Sequence, residues 1–259
     1  MRSSIDVLDS YASAFRHLIN AKVWSGRESI RELLRLNCDR DWNFLCTAMD
    51  VVGDASGAIR NFLQFGLDGP TRYQDVGEQY LRLYGLLSAV YIQQQSVIKL
   101  FELMNVPNPK NVRAQFDNLQ IRDLRHKLAS HSTDYANRST QNIETYVPIQ
   151  IGVRGFICTF TNNEQTTHNA VDLEKAIEEH CRLSISVLDL IYGKAAKTLY
   201  KGQDNKLAES MERLEDLRTE KEGGLVLRVQ GGPKLVIHTV GDRNLSARSS
   251  RTRRKRRAG

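Results

Sequence analysis

Apolar residues recur along most of this chain every three or four positions, the spacing of a helix with one buried face. The first run carries Ile5, Leu8, Ala12, Phe15 and Ile19 and is opened by a Ser3/Asp6 capping-box pattern. A Ser25/Glu28 pair repeats that pattern ahead of a short helix through Ile30, Leu33 and Leu34. Asp39 or Asp41 is placed to cap a third helix, with apolar positions at Trp42, Leu45, Met49, Val52, Ile59, Phe62 and Leu63. Gly53 and Gly57 inside it suit a kink or close packing against a neighbour, and close packing is the expected reading.

Asp68-Gly69-Pro70 breaks the periodicity. Thr71 and Gln74 then open the longest helix of the first half, through Val76, Leu83, Leu87, Ile98, Phe101 and Met104. Its four tyrosines, Tyr73, Tyr80, Tyr84 and Tyr91, suit a half-buried core face with hydroxyls at the edge better than a stacking platform for bases. Pro107-Asn108-Pro109 ends this helix and starts another, with Asn108 as N-cap and Pro109 at the first helical position. That helix is expected to run unbroken through Phe116, Leu119, Ile121, Leu124 and Leu128 and to stop near His131, where Ser132, Thr133 and Asp134 favour a turn.

The period then shortens. Residues 144–162 are rich in β-branched and aromatic side chains and predict one β-hairpin turning over 152–155. Helical spacing returns over 172–199. Residues 204–222 are highly charged, with a thin stripe at Leu207, Met211, Leu214 and Leu217, which predicts an exposed helix or a short coiled coil. A second hairpin is expected from Leu225–Val229 and Leu235–Val240 around Gly231-Gly232-Pro233. The pattern therefore predicts a mainly α-helical bundle, 1–203, with an inserted hairpin; a charged helix with a small hairpin, 204–241; and a flexible basic C-terminal extension, 242–259.

Charge changes this picture at one place. The chain has a formal net charge of +7. From Asp242 to Gly259 there are eight basic residues and one acid, so the remainder is balanced and has no global basic field. Arg251, Arg253, Arg254, Lys255, Arg256 and Arg257 in the extension are candidates for sequence-independent contact with a nucleic-acid backbone. The four cysteines, Cys38, Cys46, Cys158 and Cys181, form no C-x-x-C pair, which argues against a zinc site and a disulfide framework and for a reducing, cytoplasmic setting. No long apolar run or apolar leader is present, so no membrane span or signal peptide is expected. His17 and His180 sit on helices and read as surface or satisfied core residues, while His168 falls in a loop.

Functional residue types crowd into one stretch, Ile121 to Ser132. Ile121, Leu124 and Leu128 form its buried stripe, and on a regular helix Arg125 and His131 flank that stripe on opposite sides. No phosphate-binding glycine loop, dinucleotide fingerprint, H-E-x-x-H or serine-nucleophile elbow competes with it. Arg125-His126-x4-His131, and the string RHKLASH around it, resemble the signature of the HEPN superfamily, compact helical proteins in which an arginine and a histidine lie near the end of one helix.

The resemblance implies RNA cleavage without a metal or other cofactor, in a cleft shared by two copies of the chain. Under it, His131 acts as general base or acid at the ribose 2′-OH or the leaving oxygen, Arg125 holds the scissile phosphate, and His126 orients the phosphate or the helix end. Lys127 is the nearest candidate for a further RNA contact. A toxin or defence effector with a cognate antitoxin protein would fit that family. Two plainer readings stand beside it: a non-catalytic helical module that binds RNA or a protein, and an adaptor in which Arg125 pairs with Asp117 or Asp123 and His131 merely ends a helix.

Overall fold

The computed structural model describes residues 3–71, 75–137, 142–162, 168–228 and 234–238. Among them are eight α-helices: α1 (Ser4–Ser25), α2 (Ile30–Leu34), α3 (Arg40–Phe65), α4 (Val76–Leu103), α5 (Pro109–Asp117), α6 (Gln120–Arg125), α7 (Leu173–Leu199) and α8 (Asp204–Lys221). The strands are β1 (Tyr135–Ala136), β2 (Ile143–Glu144), β3 (Tyr146–Arg154), β4 (Ile157–Asn162), β5 (His168–Asp172), β6 (Gly224–Arg228) and β7 (Lys234–His238). The protein is mainly α, as its periodicity predicts.

Four long helices close a ring, α1 against α3, α3 against α4, α4 against α7 and α7 against α1. Each turns its apolar stripe inward, so Leu8, Phe15, Leu45, Ile59, Leu83, Phe101, Leu188 and Ile191 share one core. Burying each such side chain stabilises the fold by about 1.5–3 kcal/mol before chain entropy is set against it. The caps fix where the helices begin, and several differ from expectation. Ser3 accepts from the backbone N–H of Asp6, as the sequence suggests. The capping box of α2 is Ser29/Glu32, not Ser25/Glu28, because α1 runs on to Ser25. Asp39 is the N-cap of α3 without a side-chain bond, and Asp41 instead accepts from the N–H groups of Asn37 and Cys38. Asp75, not Thr71, caps α4, accepting from Gly77 and Glu78. Gly53 and Gly57 face open space, so the close packing expected there does not occur. Glycine is required at Gly66 instead: its φ is +60°, and a Cβ would lie 2.6 Å from the Gly155 carbonyl oxygen.

That contact docks the inserted sheet onto the α3–α4 corner. The Leu67 N–H donates to Gly155 C=O, the Gly155 N–H donates to Asp68, and Phe62 meets Phe156 edge to face. The insertion is larger than one hairpin. β3, β4 and β5 form a three-stranded antiparallel sheet, with the β3–β4 turn at Gly155-Phe156 rather than over 152–155. His168, expected in a loop, opens β5. Its exposed, polar strand hides the alternation that marks a half-buried strand.

The segment expected to be exposed or to form a coiled coil packs within its own chain. α8 lies across α1 and α7 and buries Leu214 and Leu217. Asp189 of α7 ties it down by taking two hydrogen bonds from Arg218 and one from Tyr11. Residues 204–221 are thus packed onto the bundle, and β6 and β7 pair beyond them as the second hairpin. Among the described residues no helix is long and apolar enough to cross a membrane. The basic extension, including Arg251, Arg253, Arg254, Lys255, Arg256 and Arg257, lies outside the described residues.

Candidate functional site

The stretch expected to form one helix from Pro109 to His131 is broken twice, and both breaks shape the site. α5 stops at Asp117, and Asn118-Leu119 turn the chain before α6 begins. Asn108 and Pro109 do stand at the N-cap and first helical position of α5, although Asn108 adopts a left-handed backbone and makes no side-chain cap bond. α6 then widens into a π-helical turn, His126–Ser130, in which the His131 N–H donates to the His126 carbonyl at 2.8 Å. In an α-helix, positions five apart point about 140° away from each other. The π-turn brings them side by side, and the imidazoles of His126 and His131 stack with centroids 5.9 Å apart and planes inclined by 24°. Such turns are rare and frequent at functional sites.

Both rings line a cleft of about 630 Å³ bounded by the end of α5, α6, the π-turn and β1. Arg122 enters the same cleft from α6 and is nine-tenths buried. Its Nη1 donates to Gln94 Oε1 at 3.2 Å, its Nη2 lies 3.3 Å from Asp117 Oδ1, and its guanidinium covers the Tyr91 ring at 4.3 Å. His131 is exposed, with Nδ1 3.3 Å from Asp134 Oδ1. A carboxylate accepts, so this contact places a proton on Nδ1 and leaves Nε2 facing away from Asp134. Burial lowers the pKa of His126 below the ordinary histidine value; Arg122, Arg125 and His131 push it further down against Asp117. His126 is therefore neutral at neutral pH, with a lone pair to offer.

Arg125 is placed elsewhere. Its guanidinium lies over the Tyr91 ring, 3.6 Å from the centroid, with its Nε buried and unpaired. It is not among the residues lining the cleft. Burial pulls its pKa down from the ordinary arginine value, and Tyr91 partly offsets this. The ion pairs that the plainer reading would assign to Arg125 are taken by its neighbours: Asp117 by Arg122 and Asp123 by Lys127. Lys127, considered as an RNA contact, has its ammonium 2.7 Å from Asp123 and within about 6 Å of the Tyr135, Tyr146 and Phe160 rings. An ammonium so seated is held by its own chain, which pins the π-turn to the sheet.

The structure thus brings together His126 and His131, leaves Arg125 and Lys127 outside the cleft, and adds Arg122. Sequence reasoning passed over Arg122 because it sits beside the buried stripe of Ile121 and Leu124 and looks like a flank charge. The signal available was the Gln93-Gln94 pair inside a charge-free stretch of α4, which needs buried polar partners. Three carboxylates, Asp117, Asp123 and Asp134, also line the cleft. Among the described residues no group of three or more His, Cys, Asp and Glu side chains is arranged to hold a metal ion. A cleft with two stacked imidazoles and one anchored guanidinium has the parts for proton transfer at a phosphate ester. Comparison with family models, with curated proteins and with solved structures returned no match.

Proposed function

We propose that the His126/His131 cleft is the active site of a HEPN-like endoribonuclease that cuts RNA by attack of the ribose 2′-OH. The observation that carries this reading is the stacked pair of imidazoles facing a cleft that also holds Arg122. Neutral His126 takes the 2′-OH proton as the 2′ oxygen bonds to phosphorus. The bond from phosphorus to the 5′ oxygen breaks, and His131, paired with Asp134, gives that oxygen its proton as general acid. The products are a 2′,3′-cyclic phosphate and a 5′-hydroxyl, and no step requires another reactant. Arg122 offsets the charge gathering on the non-bridging oxygens. Arg125, carried by the motif, supports the site through Tyr91, on which both guanidinium groups rest.

The resemblance extends the proposal to a homodimer in the cytoplasm acting as a toxin or defence effector, with an antitoxin protein as partner. The test is incubation of the full chain with mixed RNA in EDTA. Cleavage is expected, and it should be lost in His126→Ala, His131→Ala and Arg122→Gln while each keeps its helical circular dichroism. Intact RNA with the wild-type chain, or cutting that survives the His131 change, refutes the enzyme. The second reading, a non-catalytic RNA- or protein-binding module, draws on the three cleft carboxylates, which weaken attraction for a polyanion. It predicts RNA or protein binding without cleavage.

A further inference from the structure

The centre of the bundle carries a run of polar side chains. Ser56 of α3, Gln93 and Gln94 of α4 and His180 of α7 are all buried, and residues 83–98 of α4 include no charged residue. Their hydrogen bonds have one consistent direction. The Ser56 hydroxyl donates to the Val52 carbonyl at 3.0 Å, so its oxygen meets Gln93 Nε2, 2.9 Å away, as an acceptor. Gln93 Nε2 also donates to that carbonyl at 3.0 Å, which fixes the amide orientation. Gln93 Oε1 then faces His180 Nε2 at 2.7 Å. A carbonyl oxygen only accepts, so Nε2 carries the imidazole proton.

His180 Nδ1 is left as the acceptor and faces Gln94 Nε2 at 3.5 Å. This turns Gln94 Oε1 toward Arg122 Nη1, 3.2 Å away. The relay ends on the guanidinium that lines the cleft, with Asp117 on its Nη2 and its Nε still unpartnered. Of the five N–H donors of an arginine, two are engaged by these contacts. The Phe116 ring lies 6.3 Å from the His180 ring, centroid to centroid, and Arg122 is the charged end of the relay.

We infer that Ser56, Gln93, His180 and Gln94 are positioning residues, a relay through the core that fixes Arg122 as the anchor for one phosphate group. The identity of the anion rests on the reading of the cleft as an RNA site. The physical reason for such a relay is that a flexible arginine gives up its pre-organisation. A displacement of about 1 Å in a phosphate clamp costs on the order of a hundredfold in rate.

The test uses the full chain with ¹⁵N-labelled histidine and arginine, with inorganic phosphate as the probe. One imidazole, His180, is expected as the Nε2–H tautomer, unchanged between about pH 8 and 5. Phosphate should shift the Arg122 Nε–H signal. In Gln94→Leu the phosphate Kd should rise about tenfold, the loss typical of one hydrogen bond to a charged group. In Gln94→Glu, residue 94 has no N–H for Nδ1, so His180 should take a proton there, a change that side-chain packing alone would not cause. An Nδ1–H tautomer in the wild type, absence of phosphate binding, or a Gln94→Leu affinity within about twofold of wild type would overturn the inference. If Gln94→Leu does not fold, the wild-type tautomer and the Gln94→Glu response decide it. Phosphate binding with these signatures but uncut RNA leaves the relay standing and removes the nuclease; cut RNA with an insensitive phosphate site does the reverse.

Discussion

Histidine sits in two different settings in this protein, the core around His180 and the cleft around His126 and His131. His180 is fully buried, with both ring nitrogens matched to glutamine amides of opposite polarity. Burial drives its pKa down to about 3, so it does not change charge where proteins work. The cleft pair is partly open and faces charged groups of both signs. The same ring is dry and satisfied in the core, and open to a cleft at the edge of the bundle. The two regions are joined through Gln94 and Arg122.

The largest effect expected on this comparison is in the cleft. His131→Ala should lower RNA cleavage by about 10²–10⁴-fold, the usual worth of a positioned acid or base. Because His131 is 53% exposed, its removal should shift stability by no more than about 0.5 kcal/mol. The core change should do the opposite. His180→Leu strands Gln93 Oε1 and Gln94 Nε2 and should cost about 2–6 kcal/mol in urea unfolding, at about 1–3 kcal/mol per orphaned group. The shape of the pH–rate profile should not move.

Acid unfolding sharpens the same point. The folded pKa of His180, about 3, lies below the ordinary value of 6.5. The unfolded chain takes up that proton first as pH falls. The stabilisation from the neutral ring is therefore complete above about pH 6.5 and is lost progressively toward pH 3, at about 1.4 kcal/mol per pH unit. Denaturant unfolding across this range should be less steep in pH for His180→Leu than for the wild type by about that slope. The smallest effect separates the two arginines on Tyr91: Arg125→Gln should slow cleavage less than Arg122→Gln does, because only Arg122 lines the cleft. Equal losses would place Arg125 in the chemistry after all.

Much of the fold was legible because period and capping are local. The ring of four helices follows from apolar stripes at Leu8, Leu45, Leu87 and Ile185, each buried as its spacing predicts. The inserted sheet was visible in β3 and β4 but not in β5, where four of the five residues are exposed. The place of α8 was hidden for another reason. Its charged composition reads as solvent-facing, yet Leu214 and Leu217 are buried, Leu207 and Met211 pack against the core, and Asp189 binds Arg218. Of the site, His126 and His131 were found by residue type. Their pairing was not, since stacking at a spacing of five depends on the π-turn, within which Lys127 reaches rings at positions 135, 146 and 160 that lie outside its own helix. Arg122 was missed because its partner Gln94 lies 28 residues away in sequence.

The most direct test of the cleft's chemistry is the product it leaves. The full chain would be incubated in EDTA with an oligonucleotide in its ribose form and with the same sequence in its 2′-deoxy form, and the ends would be identified by mass. A 2′,3′-cyclic phosphate and a 5′-hydroxyl, formed only from the ribose strand and absent with folded His126→Ala and His131→Ala, are the predicted result. Equal cutting of the deoxy strand, a 5′-phosphate end, or an intact ribose strand would contradict it.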